Sequence, residues 1–271
     1  MTSIAAALLA LTGAPLFIVI VFLALFHFFL ADIDLTVIFI EMYRIAATPT
    51  LSAIPLFAFT GFLLARSGAA DRLVRFSQAI LGWLPGGLAI MAILVCALFT
   101  ALTGASGMTI VALGGLLYPA MIQNRYSENF SLGLLTTSGS LGLLFPPSLP
   151  LIVYAIVSET PVDRLFFAGI APGMLMVAAL SLYSFYIGRK ESTPRVVIDR
   201  SEIPRVMRES IWELLLPVVI FMGIFTGFIA VSEAAALCAL YVLFVEMVIH
   251  REIRFSHLPG IIRDCMVLVG G

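Results

Sequence analysis

Two clusters of small and hydroxyl-bearing residues mark the places where this sequence could do chemistry. Each cluster interrupts an apolar run long enough to cross a membrane, and neither contains a carboxylate. Neutral oxygens at an unwound helix end suit a cation such as Na⁺, whereas the N–H groups at a helix start suit an anion. The candidate binding residues are Thr103, Gly104, Ser106, Gly107 and Thr109 in the first cluster, and Ser138, Gly139, Ser140, Gly142, Pro146, Pro147 and Ser148 in the second. The candidate Na⁺ ligands are Thr103, Ser106, Ser140 and Gly142.

The same residues predict breaks in the backbone. In hydrocarbon every backbone N–H and C=O needs a partner, so broken backbone is tolerated only beside protein or water. Glycines such as Gly104 let backbones approach closely, and the Pro146–Pro147 pair frees carbonyls by removing donors. Two breaks close together in sequence predict a binding site near mid-membrane, as in secondary transporters. The alternative is that these small residues only pack helices against one another.

The composition is that of an integral membrane protein built from helices. Of 271 residues, 61% are hydrophobic and 11% are charged, against about 45–50% and about 25% in soluble domains. The apolar runs are too long for the alternating strands of a barrel. The net charge of −1 gives no reason to expect nucleic-acid binding. Three scattered cysteines lack metal or disulfide spacing and are expected to act as small hydrophobic residues.

The apolar runs define an ordered set of membrane segments. Between them, an amphipathic helix at 71–84 is predicted to lie in the membrane interface, with a plain loop helix as the alternative. Glu41 and Arg44 are predicted to pair on one helix face, and Gly223 and Gly227 to pack helices. The uninterrupted spanning candidates are 4–30, 35–47, 51–65, 165–188, 211–230 and 233–249, and the interrupted ones are 86–124 and 131–158.

Charge predicts the orientation of these segments. The polar stretch 189–210 holds six Lys/Arg against four acidic residues, and short basic loops stay in the cytoplasm. The loop at 158–164 carries two acids against one arginine, which suits the outside. The segment 131–158 then runs outward, and 86–124 enters and leaves on the cytoplasmic side as a re-entrant hairpin.

The motifs give no support for enzymatic functions. The run 104–108 is close to the nucleophile elbow of hydrolases, but it lacks the final glycine and no His–Asp partnership accompanies it. No Walker sequence is present, so the chain is not itself an ATP-driven motor. We therefore expect a transport protein that is not an enzyme.

Several stretches together resemble one transporter family. They are IPLFAFTGFLLARSGAADRLVRFSQAILGWLPGGLA at 54–89, ALFTALTGASGMTIVALGG at 97–115, LGLLFPPSLPLIVYAI at 141–156 and LFFAGIAPG at 165–173. They are similar to the large membrane subunit, DctM-like, of tripartite ATP-independent periplasmic (TRAP) transporters. Two motifs differ from the family. Thr-Gly-Ala-Ser-Gly at 103–107 stands where the family usually has Ser-Gly-Ser-Ser, and Ala-Val-Ser-Glu-Ala at 230–234 where it has Thr-Pro-Thr-Glu-Ala.

The resemblance implies an all-α, elevator-type, inverted-repeat fold in the bacterial or archaeal inner membrane. It implies a Na⁺-driven importer of organic acids that works with a small four-helix membrane subunit and a periplasmic substrate-binding protein, with no cofactor beyond Na⁺. In the family, the stretches matching 103–109 and 138–148 line a sodium site and the substrate cavity. The alternative is a remnant that assembles with membrane partners without transporting.

The resemblance also suggests a division of the chain. Residues 1–85 would form scaffold helices and an interfacial arm helix, and 86–160 the first re-entrant hairpin and broken helix. A spanning helix at 161–188 and a cytoplasmic loop at 189–210 would follow. A similarity between 14–26 and 216–228 suggests that a second repeat begins near 211. We expect this second repeat to be incomplete within residues 211–271.

Overall fold

The computed structural model describes residues 11–191 and 203–270, and all regular structure in these ranges is helical. Local turns of 3₁₀-helix precede α3 and follow α7, and a π-helical turn, Val245–Ile249, follows α11. The α-helices in the described ranges are α1 (Leu16–Leu30), α2 (Thr36–Ala46), α3 (Ala53–Arg66), α4 (Ala69–Leu81), α5 (Gly87–Thr103), α6 (Ser106–Gln123), α7 (Glu128–Leu141), α8 (Leu149–Ser158), α9 (Val162–Lys190), α10 (Ile203–Phe225), α11 (Val231–Phe244) and α12 (Leu258–Gly270).

The chain divides into two compact units, the first ending at Thr48 and the second starting at Pro49. The first unit contains α1 and α2. The predicted pair is confirmed, because Arg44 Nε donates to Glu41 Oε2 at 2.7 Å. However, α2 has 11 residues, a length of about 17 Å, and cannot cross a hydrocarbon core of about 30 Å. The predicted span at 35–47 is therefore a short helix. The predicted span at 4–30 lies partly outside the described residues.

The second unit is built around α5. This helix packs against α3, α4, α6, α7 and α9, and most of its residues are buried. A helix that is apolar on every side is expected to be surrounded by other helices. On the far side of α3 lie α11 and α12, both of which contact it. The central position of α5 places its C-terminal end, Thr103, inside the unit.

Four described helical stretches are long and apolar enough to cross a membrane: Pro49–Arg66, Ser106–Gln123, Val162–Lys190 and Val231–Ile249. A fifth crossing arises if Glu128–Leu144 and Leu149–Ser158, which meet at a bend of 42°, form one broken span. This agrees with the predicted spans at 51–65, 165–188 and 233–249 and with the interrupted span at 131–158. Helix α6 has 18 residues and is long enough to cross a membrane by itself, whereas α5 has 17 residues and is slightly too short.

The amphipathic segment 71–84 corresponds to α4, but its polar face is not simply exposed. Arg72 is only 4% exposed, whereas the Arg75 side chain is 56% exposed. Neighbours on α10 and beyond α11 surround Arg72. The side chain of Arg72 therefore points from α4 into the protein and not into solvent. Its location in the membrane interface remains a prediction.

Two boundaries differ from the sequence-based predictions. Helix α9 continues to Lys190 and α10 already begins at Ile203, so the polar stretch 189–210 is helical at both described ends. Gly227 lies beyond the end of α10 in a turn with φ +72°. Its predicted role in helix packing is therefore wrong, because a positive φ suits a residue that terminates a helix.

Candidate functional site

The first break is a tight turn between α5 and α6. Gly104 adopts φ 65° and ψ 0°, and its N–H donates to the Thr100 carbonyl at 2.8 Å. This left-handed conformation favours glycine, which has no Cβ. A Cβ at Gly104 would overlap the side chain of Leu149, the first residue of α8. The turn therefore lies directly against the start of α8.

Two threonines close the turn from inside. Thr103 and Thr109 are completely buried, and their Oγ1 atoms lie 3.2 Å apart. The Ala105 carbonyl accepts a bond from the Thr109 hydroxyl at 3.3 Å and another from the Thr109 N–H at 3.2 Å. A Cβ on Gly61 of α3 would overlap the Thr103 backbone, so α3 closes this side. The first cluster thus brings two hydroxyls and a carbonyl together within the protein.

The second break packs against the end of α5. The Thr100 hydroxyl donates to the Gly139 carbonyl at 2.8 Å, and both residues are buried. A Cβ on Gly142 would overlap the Ala97 carbonyl, and a Cβ on Gly139 would overlap the Ile110 side chain of α6. These glycines let α7 approach α5 and α6 more closely than larger residues could. The two predicted breaks therefore meet in space.

Two buried hydroxyls lie at the second break, on Ser138 of α7 and on Ser148 before α8. Both residues have 0% exposure, and neither hydroxyl has a hydrogen-bond partner among the described residues. A buried hydroxyl without a partner costs about 1–3 kcal/mol. These oxygens are consequently available to a ligand that enters the region.

The structure does not bring all of the predicted site residues together. Ser140 is exposed, and its hydroxyl bonds to the Thr136 carbonyl of its own helix at 3.4 Å. Gly107 is also exposed, with open space around its Cα, and Ser106 is half-buried at the start of α6. Pro146 and Pro147 are buried in the link before α8. The buried members of the predicted set are therefore Thr103, Thr109, Ser138, Gly139, Gly142, Pro146, Pro147 and Ser148.

The ends of four helices give the region its electrostatic character. Helices α5 and α7 end here, and α6 and α8 begin here. The last carbonyls of a helix carry partial negative charge, and its first N–H groups carry partial positive charge. None of the predicted site residues is titratable. The region can therefore offer neutral oxygens to a cation and N–H groups to an anion.

A second polar region, around Arg72, is absent from the predicted set. Its guanidinium is surrounded by Glu213, Glu246 and Glu252. The available signal was that Glu213 and Glu246 each stand within a predicted apolar span, where a carboxylate marks a functional residue by default. The structure brings them together on one arginine from α4.

Comparisons with known proteins agree on one family. The family model described as "Tripartite ATP-independent periplasmic transporter, DctM component" matches residues 3–270. The chain is 36% identical over 226 residues to the C4-dicarboxylate TRAP transporter large permease protein DctM of Pseudomonas aeruginosa, covering 83% of this chain and 53% of that protein. It is 31% identical to the protein of the same name from Rhodobacter capsulatus, covering 94% and 61%. It is 33% identical to the ectoine/5-hydroxyectoine TRAP transporter large permease protein UehC of Ruegeria pomeroyi, covering 92% and 59%.

Proposed function

The chain belongs to the DctM family of tripartite ATP-independent periplasmic transporters, and we propose that it supplies the Na⁺ and substrate site of an organic-acid permease. It is a multi-pass membrane protein, and its relatives are transporter permease subunits, not enzymes. The chain spans about half the length of the curated relatives that it matches. The observation that carries the proposal is the contact between the two helix breaks, Thr103–Thr109 and Ser138–Ser148.

The inward-facing oxygens support Na⁺ at this contact. Thr103 and Thr109 lie with their hydroxyls 3.2 Å apart, and the carbonyl ends of α5 and α7 approach the same region. Hard cations prefer oxygen ligands, and unwound backbone carbonyls coordinate Na⁺ in transporters built from discontinuous helices. Thr103 and Gly142 are the members of the candidate ligand set that are buried here, and Ser106 is half-buried beside them.

The starts of α6 and α8 support an anionic substrate. Each provides N–H groups without an intrahelical partner and the positive end of a helix dipole. The buried Ser148 hydroxyl, directly before α8, adds a donor that has no described partner. Half-helix N-termini bind the carboxylate of organic substrates in this way in other transporters. A carboxylate is therefore the substrate group that this region suits best.

The partners and location are proposed from the family. Relatives carry names for C4-dicarboxylate and ectoine transport. We propose that the chain works in the inner membrane with a small membrane subunit and a periplasmic binding protein that delivers the organic acid. In an elevator mechanism, the four helices α5–α8 would move together, and the contact between the two breaks would travel with them.

Na⁺ binding is tested directly by thermal unfolding of the purified chain in NaCl and in KCl at equal ionic strength. A ligand that binds only the folded state stabilises it by about 2.7 kcal/mol at 100 times its dissociation constant. We expect NaCl to raise the unfolding temperature of the wild type and to have no such effect on Thr103→Val. Thr136→Val, on the exposed side of α7, is the matched control. Equal curves in both salts for the wild type would contradict the Na⁺ assignment.

Transport is tested in liposomes that contain the complete transporter assembly, with a loaded binding protein and a Na⁺ gradient. Uptake of a labelled C4-dicarboxylate should require the gradient and should be abolished by Ser106→Leu and by Gly142→Val while the protein remains in the membrane. Normal uptake by both variants would contradict the site. Assembly with the small subunit without any uptake would favour the alternative, a chain that only assembles with partners.

A further inference from the structure

A buried group of charges joins α4 to α10 and to the end of α11. The guanidinium of Arg72 donates through Nε to Oε1 of Glu213 at 2.6 Å and through Nη1 to Oε1 of Glu252 at 2.6 Å. Its Nη2 donates to both oxygens of Glu246, at 2.9 Å and 3.1 Å. One guanidinium and three ionised carboxylates would leave a net charge of −2. Because buried charges that are not compensated are costly, this cluster is expected to attract a positive charge.

The outer members of the cluster do not supply that charge. His250 Nε2 lies 3.6 Å from Glu213 Oε1, but burial and the nearby Arg72 lower the pKa of its imidazole. Burial raises the pKa of Glu252, but the Gly68 N–H at 2.6 Å and Arg72 outweigh it and hold that pKa below its usual value. Glu252 is therefore an ionised member of the cluster.

The remaining charged and titratable neighbours have their own partners. Glu209 on α10 pairs with Arg75 at 3.8 Å and with Arg205 at 3.2 Å. The Tyr241 hydroxyl donates to the Trp212 carbonyl at 3.0 Å. In the described part of the chain no group of His, Cys, Asp and Glu is arranged to hold a metal ion. The positive charge that the cluster lacks can therefore be supplied by a proton that binds to one of its carboxylates.

Arg72 does not compensate the negative charges of the three carboxylates equally. Glu213 and Glu252 each face a guanidinium nitrogen at 2.6 Å, whereas both oxygens of Glu246 share Nη2 at longer distances. Glu246 is also completely buried, at 0% exposure. Like charges and burial both favour the neutral form of a carboxyl group. Glu246 is consequently the member that gains most from a proton.

A hydrogen-bond acceptor for a protonated Glu246 carboxyl group lies nearby. Glu213 is 5% exposed, and its Oε2 is buried without a hydrogen-bond partner among the described residues. Glu213 and Glu246 line the same small cavity of about 10 Å³, together with Trp212 and Tyr241. Glu246 reaches this cavity from the π-helical turn Val245–Ile249, a rare element that is frequent at functional sites.

We propose that Glu213 and Glu246 form a proton-binding carboxyl pair. A proton from solvent binds the Glu246 carboxylate, and the resulting O–H donates to Oε2 of Glu213, directly or through one water in the cavity. The net charge of the cluster changes from −2 to −1. Loss of the proton places two carboxylates in repulsion between α10 and the π-helical turn that follows α11, next to Arg72 of α4. Because α4 leads directly into α5, the pair links protonation to the position of the helix that ends at Thr103.

Infrared titration of the full chain in lipid nanodiscs tests the pair. We expect the C=O stretch of a protonated carboxyl at neutral pH, where an ordinary glutamic acid with a pKa of about 4.3 is ionised. Glu246→Gln should remove this band. Glu213→Gln should shift its titration to lower pH, by about 1 pH unit or more, because a like charge is lost. Glu209→Gln, on an exposed pair of the same helix, should leave the band unchanged.

Two outcomes would overturn the proposal. The first is a wild-type spectrum without the band at neutral pH, which needs no variant to interpret. The second is a band that survives in Glu246→Gln. Circular dichroism of each variant checks folding, and Glu246→Gln should retain helicity because its amide can replace the O–H as donor to Glu213.

Discussion

The Thr100 hydroxyl donates a hydrogen bond of 2.8 Å to the Gly139 carbonyl, and neither residue reaches the surface. Gly139 lies in the last turn of α7, whose final carbonyls have no partner within the helix. Thr100 supplies that partner from α5, one turn before Gly104. The bond thus holds the two helix breaks together where a ligand would bind.

Removing this hydroxyl should loosen the contact between the two breaks. Thr100→Val keeps the shape of the side chain but leaves the Gly139 carbonyl without its donor, which we expect to cost about 1–3 kcal/mol of stability. Thermal unfolding in detergent measures the loss. Thr136→Val is the control, because its exposed hydroxyl bonds only within α7. Equal stability of both variants would show that the bond contributes nothing.

A methyl group at Gly104 should displace the start of α8. Gly104→Ala forces a Cβ into the Leu149 side chain and into a backbone conformation with φ 65°. We expect a loss of at least about 1 kcal/mol from the backbone conformation alone, and more from the overlap. Gly133→Ala, within helix α7 and with open space at the Cβ position, should be neutral or stabilising. Differential scanning calorimetry compares the two, and a stable Gly104→Ala would refute the close contact.

Replacing Arg72 should destabilise the protein much more than replacing Arg75, although both arginines lie on α4. Arg72→Ala leaves three carboxylates without their common partner, and breaking a buried pair costs about 3–5 kcal/mol. Arg75, half-exposed and 3.8 Å from Glu209, should lose no more than about 1 kcal/mol when changed to alanine. Unfolding monitored by circular dichroism tests this difference. A similar small effect at both positions would mean that the cluster around Arg72 is solvated.

The polar stretch 189–210 should face the cytoplasm. Its excess of Lys/Arg predicts that Ser192→Cys resists a membrane-impermeant maleimide in intact cells and reacts after the cells are opened. Ser158→Cys, at the exposed end of α8, should react in intact cells. The natural cysteines are buried and provide a low background. Labelling of Ser192→Cys in intact cells would invert the predicted topology.

The sequence by itself determined the helical membrane class and the positions of both breaks. Composition sets the class because hydrocarbon admits only backbones that satisfy their own hydrogen bonds. The breaks follow from local chemistry, since Gly104 can adopt a positive φ and the Pro146–Pro147 pair lacks donors. These properties belong to the residues themselves and need no distant partner.

Only the tertiary structure decided which side chains face the site. Ser138 and Ser140 are equivalent in composition, but two residues in a helix lie on nearly opposite faces, so Ser138 is buried and Ser140 exposed. The partners of Arg72 lie 141 to 180 residues away in sequence. An amphipathic pattern assigns a charge to a polar face. The packing of α10 against α4, and the π-helical turn that brings Glu246 to Arg72, determine whether that face meets water or carboxylates.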